Sequence, residues 1–255
     1  MINKLLSIIL LLAGCFSVVA QAKNNGLTLS KNSQHLKVFE QAVASGDANT
    51  ATIALNYYLS EQGNNDSYAD TLAMLYMQQG AYPQCYYWAQ KRLQLKPNDN
   101  NLQELKGICP DKLHQTIVAI DIFDKLFKKT QSPYYAHKLM ELQYGIKRLA
   151  ECVETALAAE KLEYRQSFIM TYNFGQQAGR TYLQAGVYNI HALALYDLDK
   201  KKEAKAYFEK ALALDSSFVL ARQNLEALKS METGNPKNEP PTNNQQQQLL
   251  PAKPN

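Results

Sequence analysis

Two glycines 34 residues apart, Gly46 and Gly80, constrain this chain more than any other feature, because each interrupts helical periodicity in the same way. The stretch Asp66–Pro97, DSYADTLAMLYMQQGAYPQCYYWAQKRLQLKP, shows the unit most fully. Apolar residues recur at helical spacing up to Met77 and Gly80 breaks the pattern. A second helical run carries Tyr86 to Leu95, and Pro97 stops it. This predicts a helical hairpin. Around Gly46-Asp47, the stripes Val38, Phe39, Ala42 and Ala51, Leu55, Tyr58 predict another from Gln34 to Gln62. A period of this length marks repeats that bury their apolar faces only by stacking on their neighbours.

The spacings within the unit resemble the tetratricopeptide repeat, whose signature runs W-x2-L-G-x2-Y, then A-x3-F, then P. Here the places are filled by Ala69, Leu72, Ala73 and Tyr76, then Cys85 and Ala89, then Pro97. The departures (Ala69 for Trp, Ala73 for Gly, Cys85 for Ala, Ala89 for Phe) stay small or apolar, as a packed interface requires. The resemblance covers most of residues 34–229. It implies an all-α fold, an α-solenoid of about four to five helical hairpins, and a concave face that binds a protein or peptide.

Beyond Pro97, Leu102, Leu105 and Ile108 predict a short helix that Cys109-Pro110 ends. Ile117 to Lys128 predicts its partner, in which Ala119, Phe123 and Leu126 echo the A-x3-F spacing. Ser132-Pro133 opens the next helix with Pro at a first helical position. Its stripe is Tyr135, Leu139, Leu142, and that of its partner is Ala150, Cys152, Ala156, Ala159. The register then slips. Ala204 to Phe208 follows Cys152 by 52 residues where 34 would keep step, so about 18 residues are inserted. Within the insertion Ser167 to Phe174 is aromatic and β-branched, and Gly175 and Gly179 frame a turn. Arg180 to Leu183 can return, which predicts a β-hairpin near residues 167–183. The alternative is a helix with Gly175 and Gly179 as close-packing points, but two interior glycines would each cost about 1 kcal/mol. A last hairpin follows, with Tyr188 to Tyr196, a turn over Asp197 to Lys202, and Glu203 to Leu214 carrying Ala204, Phe208 and Ala211 inward. Phe218 to Lys229 predicts a capping helix over the final apolar face.

The ends differ in kind. Residues 1–22 have the form of a signal peptide, with Lys4 followed by an apolar run, Leu5 to Leu12, too short to span a bilayer. Ala20-Gln21-Ala22 predicts cleavage before Lys23 and a periplasmic or secreted protein. Leu12-Ala13-Gly14-Cys15 instead resembles a lipobox, with a lipid on Cys15 and an outer-membrane anchor as the alternative. Residues 23–33 are a polar lead-in, the repeats occupy 34–231, and 232–255, rich in Pro, Asn and Gln, is expected to be a disordered tail. In an exported chain Cys85, Cys109 and Cys152 meet disulfide-permissive conditions. Cys85 and Cys109 fall on neighbouring helical runs, so a bridge between them stands beside the simpler reading of small buried thiols.

No G-x-S-x-G, H-E-x-x-H, phosphate loop or C-x-x-C occurs, and His35, His114, His137 and His191 are scattered. His191 falls where a packed residue belongs and reads as a satisfied core histidine. No cofactor, metal site or catalytic residue is predicted. The net charge of +4 comes from interleaved acids and bases and leaves no footprint for nucleic acid. A membrane enters only through the lipid anchor. An exported, non-catalytic interaction scaffold is therefore expected, with an assembly lipoprotein as the alternative and an envelope-polymer enzyme behind both. Asp70, Met74, Met77, His137 and Tyr144 are the candidates for contacting a partner. Asp70 and Met74 stand where relatives use basic residues or Asn to hold a carboxylate, which argues against capture of an acidic C-terminus. The 16 tyrosines, among them Tyr57-Tyr58, Tyr86-Tyr87 and Tyr134-Tyr135, divide between core and surface in a way that spacing leaves open.

Overall fold

The computed structural model describes residues 33–62, 67–175 and 177–232. The expected signal peptide, Cys15, most of the expected lead-in and the residues beyond 232 lie outside them. The fold is all-α, an α-solenoid of helical hairpins carrying one two-stranded β-hairpin. No helix among the described residues is long and apolar enough to cross a membrane. The chain divides into two compact units, Met1–Ala119 and Ile120–Asn255.

The first unit stacks α1 (Gln34–Ser45), α2 (Ala48–Gln62), α3 (Tyr68–Gln78), α4 (Tyr82–Leu93) and α5 (Asn100–Lys112) in chain order. Its core joins Leu36, Phe39 and Ala42 of α1 to Ala51, Leu55, Tyr58 and Leu59 of α2. Ala69, Leu72, Ala73 and Leu75 of α3 and Trp88 of α4 extend it. The alanines let helix backbones approach, and the larger side chains fill what is left. Val38 lies at the edge of this core and Leu36 takes the inner place. Helix α5 does not stop at Cys109-Pro110; it continues to Lys112. Asp99 starts it by accepting the Asn101 and Leu102 amides at 3.0 and 3.1 Å.

Helix α6 (Thr116–Thr130) runs across the division. The second unit continues with α7 (Pro133–Gly145), α8 (Leu149–Ala159), β1 (Ile169–Phe174), β2 (Gln177–Tyr182), α9 (Leu183–Asp197), α10 (Lys201–Leu214) and α11 (Val219–Glu232). Cys152, Ala156, Ala159, Ala204, Phe208 and Ala211 are all buried, as the repeat spacing requires. Ala150 is exposed, because the buried stripe of α8 starts at Cys152.

One turn recurs through both units. The first helix of each hairpin ends in a left-handed residue, and the next amide reaches back five residues. Asp47 bonds to Ala42, Ala81 to Tyr76, Gln115 to Pro110, Arg148 to Gln143 and Lys200 to Leu195, all between 2.7 and 2.9 Å. The left-handed residue is Gly46 or Gly80 twice, with φ of 73° and 71°. At the other three turns it is His114, Lys147 or Asp199, with φ near 60°. The repeat geometry holds where the glycine does not.

The insertion is an antiparallel β-hairpin with a tighter turn than the glycines suggest. Phe174 pairs with Gln177, so Gly175, at φ 56°, belongs to a two-residue connection. Gly179 lies within β2 opposite Tyr172. The Tyr172 ring crosses that position so closely that a Cβ on Gly179 would meet its oxygen at 2.6 Å. From there Tyr172 packs on Phe218, with ring centroids 4.9 Å apart, and its oxygen accepts the Val219 amide at 3.2 Å. The hairpin is thereby pinned to the start of α11. Helix α9 follows β2 directly, five residues before its expected start.

Candidate partner-binding face

Asp70, Met74 and Met77 sit on α3 at spacings of four and three residues, which puts them on one face. Met74 is 38% exposed and Met77 half-buried. Thioether side chains are flexible and polarizable, so such a face adapts to apolar side chains of varied shape.

Asp70 has a different occupation. Its carboxylate accepts from Arg92 Nε at 2.5 Å and from Lys96 Nζ at 2.6 Å, both presented by the end of α4 and its exit. Arg92 is only 2% exposed. It stands three residues after Ala89, where the other repeats place Tyr58, Leu126, Ala159 and Ala211, all buried. A guanidinium in a slot that other repeats fill with buried apolar or aromatic side chains must be paired to be tolerated, and Asp70 supplies the charge. Sequence reasoning missed Arg92. The signal was available as an arginine where the other repeats carry Tyr58, Leu126, Ala159 and Ala211, all apolar or aromatic.

The two candidates on α7 are enclosed. Tyr144 is buried, its phenol beside Asp197 and its ring under Lys147, whose Nζ lies 4.9 Å from the ring centroid and 2.7 Å from Asp197. Burial first, and the Asp197 charge second, raise its ionisation above the ordinary tyrosine range. His137 is 4% exposed, with Nδ1 3.8 Å from Glu141 Oε2. Burial outweighs the carboxylate and lowers its basicity. His137 and Tyr144 therefore do not share an open surface with Met74 and Met77. His191 is a core histidine, its Nδ1 2.7 Å from Glu160 Oε1, while Tyr207 donates to the other oxygen at 3.2 Å.

The tyrosine pairs separate by helix geometry. Successive residues point about 100° apart, so Tyr58, Trp88 and Tyr135 turn inward while Tyr57, Tyr87 and Tyr134 face solvent. Tyr57 stacks on His35 at 5.3 Å, and Tyr87 meets Trp88 edge-on at 5.6 Å. Tyr57 and Tyr87 belong to the second helices of their hairpins, α2 and α4, rather than to the helix that carries Met74.

Cys85 and Cys109 are both fully buried and carried as thiols. The hydrogen bond to Cys109, then burial, pushes the Cys85 thiol up and keeps it protonated. Cys152 donates to the Met140 carbonyl at 3.6 Å and is pushed up to about 12 by burial. Among the described residues no group of three His, Cys, Asp or Glu side chains could hold a metal ion.

No family model matches the chain, and no curated protein matches it. Solved structures do. A crystal structure of MamA superposes with a TM-score of 0.57 at 16% identity, over 71% of this chain and 90% of that one. A second crystal structure of MamA gives 0.57 at 17%, over 70% and 95%. MamA from residue 41 to the end, from Desulfovibrio magneticus RS-1, gives 0.56 at 16%, over 72% and 94%. At this level of identity the likeness is one of fold: these proteins share with the chain its arrangement of repeated helical hairpins.

Proposed function

We propose that the chain is a non-catalytic protein-interaction scaffold of a bacterial cell envelope, taking a protein or peptide segment on the α3 face around Met74 and Met77. The observation that carries this reading is a contrast between equivalent repeat positions. Met74 is open to solvent, whereas Leu193, which holds the same place in α9, is fully buried. Apolar side chains left uncovered at a place where another repeat encloses them favour a partner that covers them. Asp70 anchors the edge of that face through Arg92 rather than reaching for a ligand. A photo-crosslinking side chain placed at position 74 or 77 of the full chain, in cells expressing it at native level, should give discrete adducts. The same group at the exposed Ala150 should give none. Equal labelling from all three positions, or none from 74 and 77, would remove this face from consideration.

Export follows from residues 1–22, with Lys4, the Leu5–Leu12 run and Ala20-Gln21-Ala22 supporting a soluble envelope protein. The second reading, an outer-membrane-anchored assembly lipoprotein, is favoured by Leu12-Ala13-Gly14-Cys15. The intact mass of the mature chain decides between them, since an acylated N-terminus at Cys15 and an unmodified one at Lys23 are mutually exclusive. The same spectrum after alkylation with and without reductant reports whether Cys85 and Cys109 become bridged.

A further inference from the structure

Three elements of the second unit bring a thioether and an imidazole to one point. Strand β1 alternates, with Ile169, Thr171 and Asn173 exposed and Met170, Tyr172 and Phe174 turned inward. Met170 thereby reaches Gly186, the fourth residue of α9. The absence of a side chain there is what admits it, because a Cβ on Gly186 would collide with Met170 Sδ. The same Cβ would stand 3.1 Å from Nε2 of His137, on α7. The Met170 sulfur thus occupies the space that residue 186 leaves, with the His137 nitrogen beside it.

The histidine is not satisfied as a core residue should be. His137 Nε2 is buried and finds no hydrogen-bond partner among the described residues. Its other nitrogen faces Glu141, whose carboxylate accepts from Lys138 at 2.9 Å. A proton on Nδ1, facing that carboxylate, leaves the lone pair on Nε2, the nitrogen beside Gly186 and Met170. By contrast, His191 has its Nδ1 on Glu160 and its ring against Tyr207, with centroids 4.0 Å apart.

The donor set defines the chemistry. A thioether is a soft, neutral donor with little attraction for magnesium or calcium, which take oxygen ligands. Neutral imidazole with thioether suits a soft d10 ion that accepts low coordination numbers. A single positive charge costs less to bury than a double one. We propose that His137 Nε2 and Met170 Sδ form a buried site for Cu(I), with Gly186 admitting the sulfur and Glu141 facing the other ring nitrogen. Bound there, the ion would clasp β1 to α7 beside α9.

The test uses the full mature chain under anaerobic, thiol-free reducing conditions, with methionine methyl groups labelled with carbon-13 and histidine rings with nitrogen-15. Cu(I) supplied as its acetonitrile complex, and Ag(I) as a redox-silent analogue, are titrated in. The buried cysteines also attract soft ions, so the readout is residue-specific rather than total uptake. The expected result is that the Met170 methyl and His137 Nε2 signals move together and saturate with one common affinity. Met170→Leu should abolish the His137 response, and Gly186→Ala should weaken it at least tenfold. A silent Met170 methyl while other donors saturate would overturn the proposal, as would an undiminished His137 response in Met170→Leu. The wild-type titration decides alone if either variant fails to fold.

Discussion

Helices α3 and α9 hold the same place in their hairpins and meet opposite fates. Helix α3 buries Ala69, Leu72, Ala73 and Leu75 and leaves the line Asp70, Met74, Met77 at or near the surface. Helix α9 buries eleven of its 15 residues. At the equivalent places Asn189 bonds to Asn224 of α11 at 3.1 Å, Leu193 is enclosed, and the Tyr196 hydroxyl meets Met231 Sδ at 3.1 Å. Helices α7, α8 and α10 and the β-hairpin all pack on α9, and small residues at Ala185 and Gly186 admit them. A repeat motif therefore specifies the hairpin, while the neighbours decide which faces of it become interior.

The contrast is sharpest at the paired positions. Leu193→Ala should cost about 2–5 kcal/mol in urea unfolding, and Leu72→Ala, equally buried on α3, a similar amount. Met74→Ala, at the place matching Leu193, should stay within about 0.5 kcal/mol of wild type. A comparable loss at Met74 would mean that the α3 face is already covered within the chain. Asp70→Ala should cost about 2–3 kcal/mol, because it removes the carboxylate that pairs with the buried Arg92 guanidinium. The partial exposure of Asp70 keeps this below the largest values for broken buried pairs. In an Arg92→Met background the same substitution should become nearly neutral, and an undiminished loss there would show that Asp70 acts on something else.

Acid should distinguish the two units. His137 and His191 lie in the second, and burial lowers the basicity of both below the ordinary histidine value of 6.5. Their unfolded forms take up protons first as pH falls, so their contribution is complete above about pH 6.5 and is lost below it. His35 and His114, in the first unit, are not buried. Between pH 7.5 and 5.5 the unfolding midpoint followed by circular dichroism should fall further than that followed by Trp88, the single tryptophan, which lies in the first unit. Equal shifts would break the distinction. The smallest expected effect is a gain. His114→Gly relieves a left-handed turn and should stabilise by about 0.5–1 kcal/mol, whereas Gly80→Ala should lose a similar amount.

Much of the fold is legible because local rules carry it. Gly46 and Gly80 mark helix ends that any sequence with their flanking stripes would form, and Pro133 opens α7 where it should. Illegible features are those settled by distant contacts. Stacking imposes a left-handed turn on His114, Lys147 and Asp199, none of which announces it. Pro110 lies inside the last turn of α5, and the helix runs on past it to Lys112 instead of ending there. Gly179 looked like part of a turn, but its use is to make room for Tyr172 across the strand pair. For the candidate face, helical spacing alone grouped Asp70, Met74 and Met77. Nothing in that spacing could show that Arg92 claims Asp70, or that α9 packing against α7 takes His137 and Tyr144 out of reach.

The Tyr172 contact also bears on the order in which the molecule can be made. In a simple repeat array each piece needs only its predecessor, so a growing chain can finish structure as it emerges. The β-hairpin breaks that sequence of events. Its anchoring partners, Phe218 and Val219, are synthesised about 45 residues after Tyr172. Until they arrive, β1 and β2 form an isolated two-stranded pair, which is marginal in water. Completion of the second unit therefore waits on its last helix, and a chain truncated before Phe218 would lose order well upstream of the cut.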